Sequence, residues 1–180
     1  MPRVTLIDPN NTTSERQSLL AQIHGAFGAT PNMFKAVANS TAALKSMWSA
    51  FSALGTGVIP AKLGEQIAVA VANRNACEYC LSAHTMLGRK AGASAEEMSA
   101  AQGGNSDDPK AAAALRFALR LVDARGQVSE ADVRDVRDAG FNDAEVVEIV
   151  AHVALNLFTN YVNVAFAVPV DFPAVTLRRS

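Results

Sequence analysis

Hydrophobic residues recur every three to four positions along most of the chain, and no stretch shows the strict alternation that marks a strand. Alanine and leucine fill the periodic segments, whereas glycine and proline fall between them. This pattern predicts an all-α fold of about eight helices. In the first half of the chain, helices are expected at about 14–27, 32–39 and 41–54, and from Pro60 onwards.

Capping signals mark the later helices more clearly. Ser94 with Glu97, and Asn142 with Glu145, have the spacing of a capping box, in which side chains at the helix start bond exposed backbone N–H groups. The predicted helices of this half include 109–124, 130–139 and 143–167. The polar stretch 103–108 is short enough to be a surface loop. We therefore expect residues 1–180 to form a single domain.

Charge and composition limit the classes of partner. The chain has 16 basic and 17 acidic residues, a net charge of −1, and no basic run, so neither nucleic acid nor a membrane surface is expected as a partner. The aliphatic run Ile67–Ala72 is too short to span a bilayer, and the N-terminus lacks the apolar stretch of a signal peptide. We expect a cytoplasmic protein. In that reducing compartment, two neighbouring cysteines are more often catalytic or metal-binding than a structural disulfide.

The two cysteines of the chain are Cys77 and Cys80, and His84 follows four residues later. At these spacings two thiols and an imidazole lie on one side of a helix. Asn75 followed by Glu78 has the spacing of an N-cap with an acid at the third helical position, so a helix is predicted to begin there. Cys77 would then lie in the first turn, where the helix dipole favours the reactive thiolate.

Glu65 is placed to assist His84 if the chain turns back on itself. The midpoint between the two residues falls in the polar stretch 73–75, which favours caps and turns. In a helical hairpin, Glu65 would orient the imidazole, and the imidazole would take a proton from Cys80. In one continuous helix the two side chains would be about 28 Å apart. The relay therefore depends on a break near residue 74.

The motif Glu65-x11-Cys77-x2-Cys80-x3-His84 resembles the active-site signature of the alkylhydroperoxidase D (AhpD) and carboxymuconolactone decarboxylase superfamily, especially its peroxidase-related branch. The resemblance is strong over residues 30–92 and looser further on. It implies an AhpD-like all-helical fold with the cysteine pair near the N-terminus of a central helix. It also implies assembly into homo-oligomers, commonly trimers or hexamers.

The resemblance further implies a peroxidase of antioxidant type that uses no metal, haem or other cofactor. By matching position, Cys80 attacks the peroxide and becomes a sulfenic acid, and Cys77 resolves it as a disulfide. An external dithiol, on a lipoyl- or thioredoxin-like protein, then reduces that disulfide. His84 accepts the proton, and Glu65 completes the relay.

Two features leave the mechanism open. The founding peroxidase carries a second histidine where this chain has Tyr79, and a phenol is a poorer proton shuttle at neutral pH. Activity is then weaker, or the relay runs through water. The choice of Cys80 as the attacking cysteine rests on its nearness to His84 and on the family pattern, whereas Cys77 lies closer to the helix N-terminus and is expected to be more exposed.

Three other functions compete with the peroxidase. A general dithiol–disulfide oxidoreductase would act on a protein partner, and the residue Tyr79 leaves that alternative open. Some relatives are lactone decarboxylases, but they lack the cysteine pair. A non-catalytic helical oligomer would tolerate replacement of either cysteine without a change in activity.

A metal site is a further alternative. Zinc held by Cys77, Cys80 and His84 would need a fourth ligand, and His24 and His152 are the candidates, both distant in sequence. Haem attachment is excluded because Leu81, not a histidine, follows the second cysteine.

The last predicted helix carries a stripe of polar residues on an otherwise apolar face. These residues are His152, Asn156, Asn160 and Asn163. They could line the pocket or lie at a subunit interface, but a buried hydrogen-bond network without a catalytic role is the commoner explanation.

Overall fold

The computed structural model describes residues 1–178, and in that range the chain consists of nine α-helices without strands. The prediction of an all-α fold is confirmed, with nine helices in the described residues where about eight were expected. Residues 179–180, part of the predicted single domain, lie outside the described residues. The helices are α1 (Ser14–Phe27), α2 (Asn32–Val37), α3 (Thr41–Leu54), α4 (Ala61–Arg74), α5 (Glu78–Lys90), α6 (Ala95–Gln102), α7 (Pro109–Asp123), α8 (Glu130–Asp138) and α9 (Asp143–Ala165).

The capping residues fix several of these boundaries. Both predicted capping boxes, Ser94–Glu97 and Asn142–Glu145, form with side-chain and backbone bonds in both directions. A third box, Ser129–Asp132, starts α8. It was not predicted, because aspartate there departs from the usual glutamate or glutamine. Its shorter side chain still reaches the N-cap N–H at 2.7 Å.

Helix α4 forms the centre of the fold. Every residue from Gln66 to Ala72 is buried, and the helix contacts α5, α6, α7 and α9. A helix that is apolar on nearly all sides must be covered on all sides, which explains this central position. None of the helices in the described part of the chain combines the length and apolar character that crossing a membrane requires.

The break between α4 and α5 lies where it was expected, but its caps differ from the prediction. Asn75 is not the N-cap of α5; it is the C-cap of α4, and its N–H donates to Val71 O at 3.0 Å. Ala76 has a φ of +53°, which turns the chain one residue later. Cys77 is therefore the N-cap, and its Sγ accepts the Cys80 N–H at 3.2 Å. A left-handed alanine could not be read from the sequence.

The chain after α9 lies across α4, α5 and α6. Val175 N donates to Ser82 Oγ at 3.0 Å, and Gln102 Nε2 donates to Thr176 O at 2.9 Å. Near its end, Arg178 N donates to Asn73 Oδ1 at 2.9 Å. This segment places polar and aromatic side chains beside the start of α5.

Candidate active site

The α4–α5 hairpin brings Glu65 and His84 together. Glu65 Oε2 lies 2.7 Å from His84 Nδ1, and the two side chains are 23% and 12% exposed. The relay required a helical hairpin that brings Glu65 to His84, and the structure has this hairpin in place of one continuous helix. Because Nδ1 is engaged by the carboxylate, Nε2 is the ring nitrogen available for proton exchange.

Cys77 and Cys80 form a disulfide at the start of α5, with their Cα atoms 5.4 Å apart. Their side chains are oriented by the first turn of the helix, since Cys77 Sγ accepts the Cys80 backbone N–H. The expectation that Cys77 is the more exposed cysteine is wrong, because Cys77 is 1% exposed and Cys80 is 2% exposed. Exposure therefore does not select the attacking cysteine.

Asn163 on α9 contacts the sulfur of Cys80. Its Nδ2 donates to Cys80 Sγ at 3.2 Å, and the residue is 3% exposed. Cys77 has no such side-chain donor among the hydrogen bonds of the described residues. A buried N–H directed at a sulfur stabilises a thiolate there more than a thiol. The sequence singled out Asn163 in the polar stripe of α9 but favoured a purely structural network for it.

The other members of the stripe have different partners. Asn160 Oδ1 accepts from Asn75 Nδ2 at 2.9 Å, which ties α9 to the break before the dithiol. Asn156 Nδ2 donates to the His152 carbonyl on its own helix. Each residue of the stripe also keeps one buried polar atom without a hydrogen-bond partner in residues 1–178. The stripe is therefore not one continuous network.

Tyr79 is held in a structural role. Its hydroxyl accepts the Met33 N–H at 3.1 Å, and its ring meets the edge of Phe172 at 5.5 Å between centroids. Burial raises the pKa of Tyr79 well above the usual range of a phenol, and the neighbouring Asp171 carboxylate raises it further. The phenol therefore stays protonated at neutral pH.

Two cavities lie on either side of His84 and Phe51, which line both. The smaller, about 30 Å³, reaches Cys80 and Asn163. The larger, about 140 Å³, reaches Glu65. His84 therefore connects the carboxylate side of the site with the sulfur side.

Arg74 and His24 have partners other than the dithiol, and the described residues offer no metal site. Arg74, the last residue of α4, forms an ion pair with Asp123 of α7. His24 bonds the Thr30 hydroxyl at the surface, at 3.3 Å. Across residues 1–178, no group of three or more histidine, cysteine, aspartate or glutamate side chains is arranged to hold a metal ion.

The chain is similar to known proteins in part of its sequence and in its fold. Residues 41–124 match the model of the Carboxymuconolactone decarboxylase family. The chain is 26% identical to an uncharacterized peroxidase-related protein from Silicibacter sp. TM1040, whose structure superposes with a TM-score of 0.81 over 93% of this chain and 91% of that one. An uncharacterized peroxidase-related protein with an AhpD core, from Ralstonia eutropha JMP134, is 22% identical, with a TM-score of 0.86 over 94% and 92% of the two chains.

A third solved structure belongs to an enzyme of different activity. The debrominase Bmp8, in complex with 2,3,4-tribromopyrrole, is 18% identical, with a TM-score of 0.79 over 95% of this chain and 94% of its own. At that identity the likeness shows the fold alone. A search of curated protein sequences finds no significant match. Residues 41–124 thus resemble the Carboxymuconolactone decarboxylase family, and the chain shares the fold of peroxidase-related proteins, one of them with an AhpD core.

Proposed function

We propose that the protein is a thiol-dependent peroxidase that reduces hydrogen peroxide or organic hydroperoxides. The observation that carries the proposal is the position of His84, which bonds Glu65 on one side and lines the cavity of Cys80 on the other. A nucleophile, a base and a residue that orients the base are thus present at one site, with the nucleophile buried and the other two partly buried, as activated thiols require.

In the first step, His84 Nε2 takes the proton of the Cys80 thiol. The thiolate attacks the terminal oxygen of the peroxide and the O–O bond breaks, which leaves a sulfenic acid on Cys80. The departing alkoxide, or hydroxide from hydrogen peroxide, takes the proton back from His84. Glu65 holds the ring in one tautomer and stabilises the imidazolium that forms between the two transfers.

In the second step, the Cys77 thiol attacks the sulfenic sulfur of Cys80, and water leaves. The product is the disulfide present in the structure, and its Cα separation of 5.4 Å lies within the ordinary range for disulfides. An external dithiol then restores both thiols by exchange. In total, one hydroperoxide and one dithiol give one alcohol, one water and one disulfide.

The burial of both sulfurs favours a small oxidant over a protein substrate. A peroxide needs room for two oxygen atoms, which the smaller cavity offers, whereas a protein disulfide has to bring a bulky surface up to cysteines that are at most 2% exposed. The same burial favours a slender lipoyl arm over a thioredoxin-like surface as the reductant. These points support the peroxidase over the general oxidoreductase.

The proposal includes a cytoplasmic homo-oligomer, a trimer or hexamer. Apolar side chains that remain exposed along α9 support assembly with further copies of the chain. They are Val147, Val150, Tyr161 and Val164. Light scattering on the protein as it elutes from a size-exclusion column would measure the number of chains in the oligomer.

The test is the turnover of tert-butyl hydroperoxide with dihydrolipoamide as the electron donor. Turnover should collapse in Cys77→Ser, Cys80→Ser and His84→Ala, and the matched variant His24→Ala should match the wild type because His24 lies at the surface. An inert wild type whose thiols still exchange with protein disulfides would reject the peroxidase and leave the oxidoreductase.

A further inference from the structure

Both sulfurs of the disulfide are enclosed too tightly for a thiol to reach them. Cys77 and Cys80 are 1% and 2% exposed, and the cavity that reaches Cys80 has a volume of about 30 Å³. That volume holds about two water-sized groups, whereas a thiol brings a sulfur atom and the carbon chain that carries it. Thiol–disulfide exchange requires direct contact between the attacking sulfur and a sulfur of the disulfide. Part of the wall must therefore move before a reductant can react.

The wall of this cavity is helical except at two residues. Its lining residues lie in α1, α2, α3, α5 and α9, apart from Pro31, which directly precedes α2, and Phe172, which follows α9. Phe172 belongs to residues 169–178, here called the strap, which contain no helix. Because a helix can move only by disturbing the core into which it packs, the strap is the part of the wall that opens most readily.

Side-chain hydrogen bonds attach the strap to the helices. Within residues 1–178, the strap forms no backbone–backbone hydrogen bond with the rest of the chain. Near its start, Asp171 Oδ2 accepts the Asn32 N–H at 2.8 Å. Further along, the Val175 N–H donates to Ser82 Oγ on α5 at 3.0 Å. A segment without helix or strand hydrogen bonds opens locally at a lower free energy than the whole fold.

Phe172 is the apolar anchor of the strap beside the dithiol. Its ring meets that of Tyr79, which lies between the two cysteines in sequence, edge-on at 5.5 Å between centroids. Phe172 and Val175 are partly buried against the core. Pro173 and Ala174, which lie between them, are exposed. The strap thus crosses the start of α5 on a small number of apolar contacts.

We propose that the strap closes over the dithiol and must lift before an external dithiol can reduce the disulfide. With the strap lifted, one thiol of the reductant attacks a sulfur of the Cys77–Cys80 disulfide and displaces the other as a thiolate. The second thiol of the reductant then releases the cysteine from the mixed disulfide. Two electrons and two protons pass to the protein, and the reductant becomes a disulfide. Phe172 is the gate residue, because it belongs both to the strap and to the cavity wall.

The test is the rate at which dithiothreitol reduces the oxidised protein under native conditions. Samples are quenched with acid, their thiols are labelled after unfolding, and mass spectrometry counts the labels. Phe172→Ala removes the anchor and should raise the rate about tenfold. The matched variant Val170→Ala changes a residue of the same strap that is 38% exposed and lies outside the cavity wall, so it should react as the wild type does. Equal rates for Phe172→Ala and the wild type would overturn the proposal.

Ser82→Ala tests a second attachment of the strap without changing the cavity wall. Ser82 does not line the cavity of Cys80, and its hydroxyl is the acceptor of the Val175 N–H. Loss of this bond should raise the reduction rate about two- to tenfold. The equilibrium constant of exchange with dithiothreitol should stay at the wild-type value in both variants, because a gate changes the forward and reverse rates equally. An equilibrium constant that shifts as much as the rate would contradict the gate and assign the effect to the stability of the disulfide.

Hydrogen exchange tests the strap in the wild type, where no substitution can disturb folding. Amide exchange followed by NMR compares the Val175 N–H with the Leu81 N–H, which donates to Cys77 O in the first turn of α5. We expect the Val175 amide to exchange at least about tenfold faster, since lifting the strap exposes it while α5 stays folded. Equal exchange of the two amides would show that the strap lifts only when the whole protein unfolds, and would overturn the proposal.

These measurements use no peroxide, so this proposal and the proposed function can fail separately. A gated disulfide in a protein that reacts with no peroxide would reject the peroxidase and retain the strap. Peroxide turnover together with ungated reduction would do the reverse.

Discussion

Removal of the Asn163 amide should make the Cys80 thiolate harder to form. Asn163→Leu replaces the amide with an apolar side chain of similar size. It thereby removes the N–H donor whose nitrogen, Nδ2, lies 3.2 Å from Cys80 Sγ. A hydrogen bond to a charged acceptor contributes about 1.5–3 kcal/mol. At about 1.36 kcal/mol per pH unit, the pH at which half of Cys80 is thiolate should rise by about one to two units.

The assay is a pH titration of thiolate absorbance in the Cys77→Ser background, where Cys80 is the one remaining cysteine. Asn160→Leu is the matched control: it makes the same change one turn earlier on α9, where the amide bonds Asn75 and not a sulfur. We expect the control to titrate as the parent does. The rate of alkylation by iodoacetamide at neutral pH should fall in parallel for Asn163→Leu.

The reasoning would be refuted if Asn163→Leu and its parent titrated at the same pH. The bond would then serve only to position the disulfide, and the preference for Cys80 would have to come from His84 alone.

Three other predictions concern neighbouring positions. Tyr79→Phe leaves the buried Met33 N–H without its acceptor and should lower the free energy of unfolding by about 1–3 kcal/mol in urea titrations. Peroxide turnover by this variant should stay close to wild type. A collapse of turnover would show that the phenol transfers protons. Gly88→Val places a side chain against Met98 where α5 meets α6, so overpacking should destabilise the fold by about 1–3 kcal/mol; unchanged denaturant midpoints would contradict this close contact. Burial holds the pKa of His152 below its ordinary 6.5. As the pH falls, the unfolded chain therefore protonates this imidazole before the folded chain does. The free energy of unfolding should then decline as the pH falls through about 6.5. In His152→Gln that decline should be shallower, and identical pH profiles of the free energy of unfolding would rule out the imidazole as its source.

The meeting of Glu65 and His84 could be predicted because it depends on local information. The two residues are equally spaced from a polar break in two apolar helices, and a hairpin at that break brings them together. The exact caps could not be predicted in the same way. They depend on the positive φ of Ala76, a conformation that alanine rarely adopts and that the surrounding tertiary structure imposes.

The contact between Asn163 and Cys80 could not be predicted from the sequence. The two residues are 83 positions apart, and the polar stripe of α9 indicates only which face of that helix is unusual. Which residue of the stripe reaches the sulfur depends on how α9 crosses α5. The cavities are likewise products of packing, since residues of four helices line the larger one and residues of five helices line the smaller one.

The most direct test of the peroxidase is a single turnover without any electron donor. Reduced protein is mixed with a limiting amount of hydrogen peroxide, and mass spectrometry counts the products. We predict one disulfide per peroxide in the wild type and, in Cys77→Ser, a sulfenic acid trapped on Cys80. Thiols that survive excess peroxide would contradict the peroxidase, and a sulfenic acid found instead on Cys77 of the Cys80→Ser variant would contradict the assigned roles.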